Sequence, residues 1–264
     1  MYARSVSAGW GPVWAVRPGR GDRPPSRGIV GDIARGVDPS VAVGGLPGAV
    51  SHNWSGYAGI PRAGIKLTYL SANWVVPSVK PTTGFSSTWV GIDGDGNSDL
   101  IQTGTEQDFT GGHTIYRAWW EILPAPETLI PSMTISPGDR MFGSVKDNSG
   151  NNWTITLKDL SHANDSFSIN VHYTGPGRSG EWIQEAPTGS SGIEPLAHYS
   201  TTEFSTAEVA GNFGSPQGAG LVYPNLAIAM TNASGTKIIS IPSKPNAAGN
   251  AFRVAYGNIQ PPAP

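Results

Sequence analysis

The residues of this 264-residue chain best suited to chemistry fall in two short runs rich in tryptophan and glutamate. In Tyr116-Arg117-Ala118-Trp119-Trp120-Glu121-Ile122-Leu123, a strand's period of two puts Arg117, Trp119 and Glu121 on one face and Tyr116, Ala118, Trp120 and Ile122 on the other. The same rule gathers Glu181, Ile183 and Glu185 on one side of Gly180-Glu181-Trp182-Ile183-Gln184-Glu185. Carboxylates backed by tryptophan admit two readings. One is a solvated sandwich face over an apolar core. The other is a cleft across a concave sheet, with carboxylates in acid/base work and aromatics holding an extended ligand. A cleft of this kind also fits a carbohydrate-binding module, or a glycoside hydrolase whose carboxylate pair is Glu121 and Glu185.

Other chemistries lack their residues. There is no cysteine, which removes thiol catalysis, disulfide scaffolds and sulfur-ligated metals. No serine has glycines two positions away on both sides, and the five histidines form no H-E-x-x-H. Asp93-Gly94-Asp95-Gly96-Asn97-Ser98-Asp99 has the alternating oxygens of a calcium loop, but Ser98 stands where the turn glycine belongs and Gly104 where the bidentate glutamate belongs. It reads instead as a polar turn between strands. No Asp-Thr-Gly or Asp-Ser-Gly triplet is present, so a paired-aspartate peptidase is not expected.

The elements that must position these residues are strands. Charged residues make up only 14% of the chain, while 35 glycines and 23 prolines disfavour helices. Apolar or alternating runs separated by turn residues occupy 66–76, 87–92, 114–123, 141–145, 152–160, 166–173, 180–184, 197–209, 226–230, 236–241 and 251–256. Their β-branched and aromatic content predicts antiparallel strands in a sandwich, with a frayed tail at 261–264. Residues 1–48 hold six arginines and three aspartates, a net of +3, which leaves −5 for residues 49–264 in a chain whose total is −2. This basic, Pro/Gly-rich head lacks apolar periodicity and a signal-peptide core, and reads as a disordered leader or pro-segment ahead of a single β domain at 49–264. The net charge argues against a nucleic-acid partner, and no apolar run is long enough to span a bilayer as a helix.

Six segments in order carry a resemblance. Asn53-Trp54-Ser55-Gly56, Ala72-Asn73-Trp74-Val75-Val76-Pro77-Ser78, Thr88-Trp89-Val90-Gly91-Ile92-Asp93-Gly94-Asp95, Leu100-Ile101-Gln102-Thr103-Gly104, Ala118-Trp119-Trp120-Glu121 and Glu181-Trp182-Ile183-Gln184-Glu185 resemble the signature segments of the glutamic peptidases, the eqolisin family. Thr134-Ile135-Ser136-Pro137-Gly138-Asp139 resembles that family's central turn. The resemblance implies an all-β, antiparallel two-sheet sandwich of the concanavalin-like or jelly-roll type and a secreted, acid-acting endopeptidase, monomeric, without cofactor or metal, with polypeptides as its partners. Carried over by segment, the catalytic pair is Gln102 and Glu185, while Trp89, Asp93, Gly104, Trp119 and Glu121 are supporting or substrate-contacting. Glu181 sits where the family does not place its base. Arg117 stands where a carboxylate is expected, and the absence of cysteine departs from the family's fungal members.

Overall fold

The computed structural model describes residues 33–34, 48–163, 165–212, 217–218 and 225–264. Among them there is no helix, and every long element is a strand. The chain runs through β1 (Ile33–Ala34), β2 (Gly48–Ser51), β3 (Trp54–Gly59), β4 (Leu67–Val75), β5 (Ser87–Ile92), β6 (Ile101–Thr110), β7 (His113–Ile122) and β8 (Thr128–Leu129). It continues through β9 (Arg140–Asp147), β10 (Asn152–Asp159), β11 (Ser166–His172), β12 (Gly180–Glu185), the short hairpin of β13 (Thr188–Gly189) and β14 (Gly192–Ile193), and β15 (Thr202–Gly211). The last strands are β16 (Gln217–Gly218), β17 (Asn225–Thr231), β18 (Ile238–Pro242) and β19 (Phe252–Tyr256).

Pairing divides the long strands into two leaves. The first runs β8-β7-β6-β5-β12-β3-β17-β2-β1, and all of its pairs are antiparallel except β2 with β17. The second runs β11-β10-β9-β4-β15-β19-β18, with β18 also pairing β17 and so joining the leaves along one side. Between the leaves lies the main core, where Tyr57, Val90 and Trp182 of the first leaf meet Leu70, Trp74, Val145, Ile155, Phe204 and Val254 of the second. Each large apolar side chain buried there contributes about 1.5–3 kcal/mol. Two of the three core tryptophans also bond across the gap, Trp182 Nε1 to the Ser71 carbonyl at 3.0 Å and Trp74 Nε1 to Thr105 Oγ1 at 3.1 Å. The first of these fixes the rotation of β12. With Trp182 pointing into the core, Glu181, Ile183 and Glu185 must face the other side of the leaf.

Three expectations change. The run 197–209 is not one strand: β15 begins at Thr202, while Ala197 donates to the Phe85 carbonyl and Tyr199 bridges Val79, so extended backbone there serves a different neighbour. The tail is tied down, because Arg253 Nη1 donates to the carbonyls of Pro262 and Ala263 at 3.4 and 3.3 Å. And β6, with its sequence Ile-Gln-Thr-Gly-Thr-Glu-Gln-Asp-Phe-Thr, is a ten-residue central strand that alternation alone does not predict. Of the head at 1–48, Ile33–Ala34 pairs with Val50–Ser51 and Gly48 begins β2. The rest of the expected disorder lies outside the described residues.

Candidate active site

The first leaf has a second face, turned away from the main core, and the site residues are on it. Val90 and Ile92 of β5, Ile101 of β6 and Ala118 of β7 point into the core, so Trp89, Gly91, Gln102, Gly104, Glu106, Arg117, Trp119 and Glu121 point the other way. The β6–β7 hairpin closes with Thr110 opposite His113, on Gly111 and Gly112 at φ 58° and 81°, the left-handed backbone that a two-residue turn requires. Counting back from that turn sets Glu106 opposite Arg117, Gly104 opposite Trp119 and Gln102 opposite Glu121. Continuing across β5 and β12 gives three rows on this face: Glu121–Gln102–Gly91–Glu181, Trp119–Gly104–Trp89–Ile183, and Arg117–Glu106–Ser87–Glu185.

The middle row is an apolar floor. Trp54, Trp89, Trp119, Ile183 and Leu100 form one buried cluster, with Trp54 and Trp89 edge to face at 5.0 Å. A Cβ on Gly104 would lie 2.4 Å from the Thr88 carbonyl oxygen, 2.6 Å from Trp89 Cβ and 3.0 Å from Trp119 Cζ2. Only glycine lets the two indoles close over β6.

Polar groups flank the floor. On one side Gln102 Nε2 donates to Glu121 Oε2 at 2.6 Å, and its buried carbonyl oxygen has no hydrogen-bond partner among the described residues. Glu121 therefore orients the amide. On the other side Trp89 Nε1 donates to Glu185 Oε2 at 2.6 Å, and Asn53 Nδ2 approaches Oε1 at 3.5 Å. Asn53 is itself held by the Ser51 hydroxyl, which donates to Oδ1 at 3.0 Å. Gln102 and Glu185 thus share a face, two strands and four register positions apart, each braced by neighbours from the tryptophan floor or its rim.

The two glutamates of β12 differ in kind. Glu185 is half-buried, whereas Glu181 has no exposed surface. Burial pushes the Glu181 carboxyl well above the ordinary range, the carboxylates of Asp93 and Asp95 push the same way, and hydrogen bonds from the Ser179 hydroxyl and the Asp95 backbone oppose them. Burial thus favours the neutral form of Glu181, while Glu185 is reachable.

Asp93 is used for architecture. Its Oδ2 accepts from the Tyr173 hydroxyl at 2.7 Å and the Gly177 N–H at 2.8 Å, and its Oδ1 from the Arg178 N–H at 2.8 Å and Asn97 Nδ2 at 3.2 Å. Burial, and then Asp93, raise the Tyr173 hydroxyl far above its usual range, which keeps it a donor. The loop after β5 is thereby tied to the segment entering β12. Asp93, Gly94 and Gly96 have φ of 71°, 113° and 81°, as the reading of a polar turn requires.

Glu106 and Asn53 are site neighbours that the period-of-two argument did not single out. Glu106 is fully buried and paired with Arg117, whose side chain as a whole is about a quarter exposed. Its signal was present in the sequence, since the Gly111-Gly112 turn fixes the register that sets it opposite Arg117.

A two-leaf antiparallel β-sandwich with a tryptophan-floored face, an oriented glutamine amide and a reachable glutamate belongs to a recognisable class. The chain is a member of the Peptidase A4 family, whose family model matches residues 52–248. It is similar to Aspergillopepsin-2 of Aspergillus niger, with 28% identity over 183 residues that cover 60% of this chain and 64% of that protein, slightly less than two thirds of its length. Among solved structures, scytalido-glutamic peptidase with a transition-state-analogue inhibitor is similar at 24% identity and a TM-score of 0.65, covering 78% of this chain and 98% of the other. SCP-B, an eqolisin in complex with the tripeptide Ala-Ile-His, gives 24%, 0.63 and the same coverage. Aspergilloglutamic peptidase from Aspergillus niger gives 25% and 0.53, covering 66% and 99%. These likenesses agree with the expected sandwich.

Proposed function

We propose that the protein is an acid-acting glutamic endopeptidase in which Glu185 activates water and Gln102 stabilises the oxyanion. The observation that carries this reading is the braced pair on one face of a Peptidase A4 fold: a half-exposed carboxylate held by Trp89 and an amide held by Glu121. As a carboxylate, Glu185 takes a proton from water as the water attacks the scissile carbonyl. As the resulting acid it returns that proton to the departing amine. One N–H of Gln102 is committed to Glu121, which leaves its second N–H for the oxyanion and its carbonyl oxygen, without a hydrogen-bond partner among the described residues, for the water. Trp89 and Trp119 are buried and form the apolar floor that holds the Gln102 and Glu185 strands in register beneath the site. Glu121, the second carboxylate that a glycosidase would need, is instead bonded to the Gln102 amide. Secretion and a monomeric state accompany this proposal, by likeness to the family.

The test is to incubate the purified protein with denatured casein or haemoglobin between pH 2 and 8 and to measure soluble peptides. Release confined to the acid range is expected, unaffected by chelators, thiol reagents or serine-directed acylating agents. No release at any pH, or full activity at pH 8, would remove the proposal.

A further inference from the structure

Three side chains of metal-ligand type converge at one end of the second leaf, whose strands carry none of the candidate active-site residues. Asp139 closes the turn that leads into β9, Asp159 ends β10, and His162 lies in the connection from β10 to β11. Pairing of β9 with β10 sets Met141 opposite Asp159, and the Arg140 N–H donates to the Ser161 hydroxyl at 2.8 Å, so the turn and the connection meet. Each carboxylate commits one oxygen to its own turn. Asp139 Oδ2 accepts from the Ser136 N–H at 2.7 Å, and Asp159 Oδ1 from the Ser161 N–H at 2.7 Å. The other two oxygens are thereby aimed at the imidazole: His162 Nδ1 is 2.7 Å from Asp159 Oδ2 and 3.9 Å from Asp139 Oδ1. The Asp159 side chain has no exposed surface, and that of Asp139 is only 9% exposed. Asp139 Oδ1 accepts no hydrogen bond among the described residues, and neither carboxylate pairs there with a lysine or an arginine. Asp165, at the end of the connection, adds negative charge near the ring.

We propose that Asp139, Asp159 and His162 form a binding site for a divalent transition-metal ion of the zinc class, separate from the peptidase site. Charges screened from water are paired or coordinate metals, and here a single imidazole hydrogen-bonds only one of two facing carboxylates. An ion held at about 2.0–2.2 Å by each ligand needs donor atoms roughly 3–3.5 Å apart. The three atoms offered all lie within 4.8 Å of one another, with one separation below that range and one above it. A small turn of the His162 ring, whose side chain is 60% exposed, brings them to it. The backbone N–H groups that hold the far carboxylate oxygens are outer contacts of the kind that orient metal ligands. One imidazole with two carboxylates suits zinc, cobalt or nickel better than calcium or magnesium, which take six or more oxygen ligands. Water completes the coordination. The bound ion ties the turn before β9 to the β10–β11 connection and closes one end of the leaf. It takes no part in peptide hydrolysis, so the inference is independent of the peptidase reading.

The experiment uses the full-length protein, stripped with EDTA and desalted. Ligands bind a metal only when deprotonated, so zinc is titrated in by calorimetry at pH 7.5. Wild type is expected to take up one equivalent of zinc, and its thermal unfolding midpoint to rise with zinc concentration. His162→Gln replaces an exposed side chain and leaves the fold intact. It should weaken zinc binding by at least the roughly 10- to 100-fold that loss of even an outer contact costs, and Asp139→Asn should do the same. His172→Gln, on β11 outside the cluster, should bind zinc as wild type does. Calcium at the same concentration should give neither binding heat nor a rise in the midpoint. Zinc bound equally by wild type and His162→Gln would mark adventitious binding elsewhere on the surface and overturn the inference. No zinc bound by wild type, or binding lost as fully in His172→Gln as in His162→Gln, would overturn it too. Calcium bound in preference to zinc would overturn the assigned class of ion.

Discussion

Replacing Glu181 with glutamine separates a buried acid that shapes stability from the base that does chemistry. Glu181 has no exposed surface, and its proton affinity in the fold is raised well above that of the unfolded chain, by burial first and then by Asp93 and Asp95. The native state therefore holds a proton that the unfolded state releases near the reference value of about 4.3. The stability linked to that proton is fully present below the unfolded value and is lost as pH rises toward the folded one. Over that window the loss is about 1.4 kcal/mol per pH unit. Two such units take a large share of the 5–15 kcal/mol that holds a typical domain together. Glutamine is nearly isosteric with the neutral acid and cannot ionise. The Glu181→Gln variant should match wild type to within about 1 kcal/mol at pH 3, lose less stability between pH 4 and 7, and keep most of its acid activity. Urea unfolding at half-unit pH steps measures this directly. A variant whose stability falls with pH as steeply as wild type would show that Glu181 is not the linked group, and loss of acid activity would show that β12 has been assigned the wrong base.

Other outcomes follow from the same geometry. Gln102→Ala should lose at least the roughly 100- to 1,000-fold in kcat typical of one oxyanion donor, and an unchanged rate would take the amide out of the mechanism. Trp89→Phe removes the N–H donated to Glu185 and should move the acid limb of activity to higher pH by about one unit or more, because a hydrogen bond to a charged group is worth about 1.5–3 kcal/mol. An unmoved acid limb would refute that role. Gly104→Ala forces a Cβ against the Thr88 carbonyl and should cost about 1–3 kcal/mol of stability together with activity, both read from a melting curve and a rate. The His162 ring, 2.7 Å from Asp159 and facing Asp139, has its proton affinity raised by the Asp159 hydrogen bond first and by carboxylate charge second. Its NMR titration should lie above the ordinary histidine value, and Asp159→Asn should bring it down.

The parts of the site legible in the sequence were those on strands with one apolar face. In β7 and β12, alternation assigned Arg117, Trp119 and Glu121, and Glu181, Ile183 and Glu185, to common faces, and the structure places them so. The solvated alternative does not hold for Trp119, Glu121, Glu181 or Ile183, all of which are buried. Strand β6 was illegible because its polar residues are buried on both faces. Thr103 and Thr105 face the core, where their hydroxyls bond the Trp119 carbonyl and Trp74, while Gln102 and Glu106 face the site. A polar residue satisfied inside a sheet has no hydropathy signal. The resemblance to the glutamic peptidases, rather than periodicity, pointed to Gln102. The role of Asp93 was likewise hidden, since its donors come from Tyr173, Gly177 and Arg178, about 80 residues downstream.

The central claim is that Glu185 is the general base, and its most direct test is turnover by Glu185→Gln beside wild type at the acid optimum, with peptides counted by mass spectrometry and folding checked by thermal unfolding. The account predicts an unchanged unfolding midpoint and a rate reduced by at least the roughly 100- to 10,000-fold that a positioned acid/base supplies. A folded Glu185→Gln protein that cleaves at the wild-type rate would contradict it.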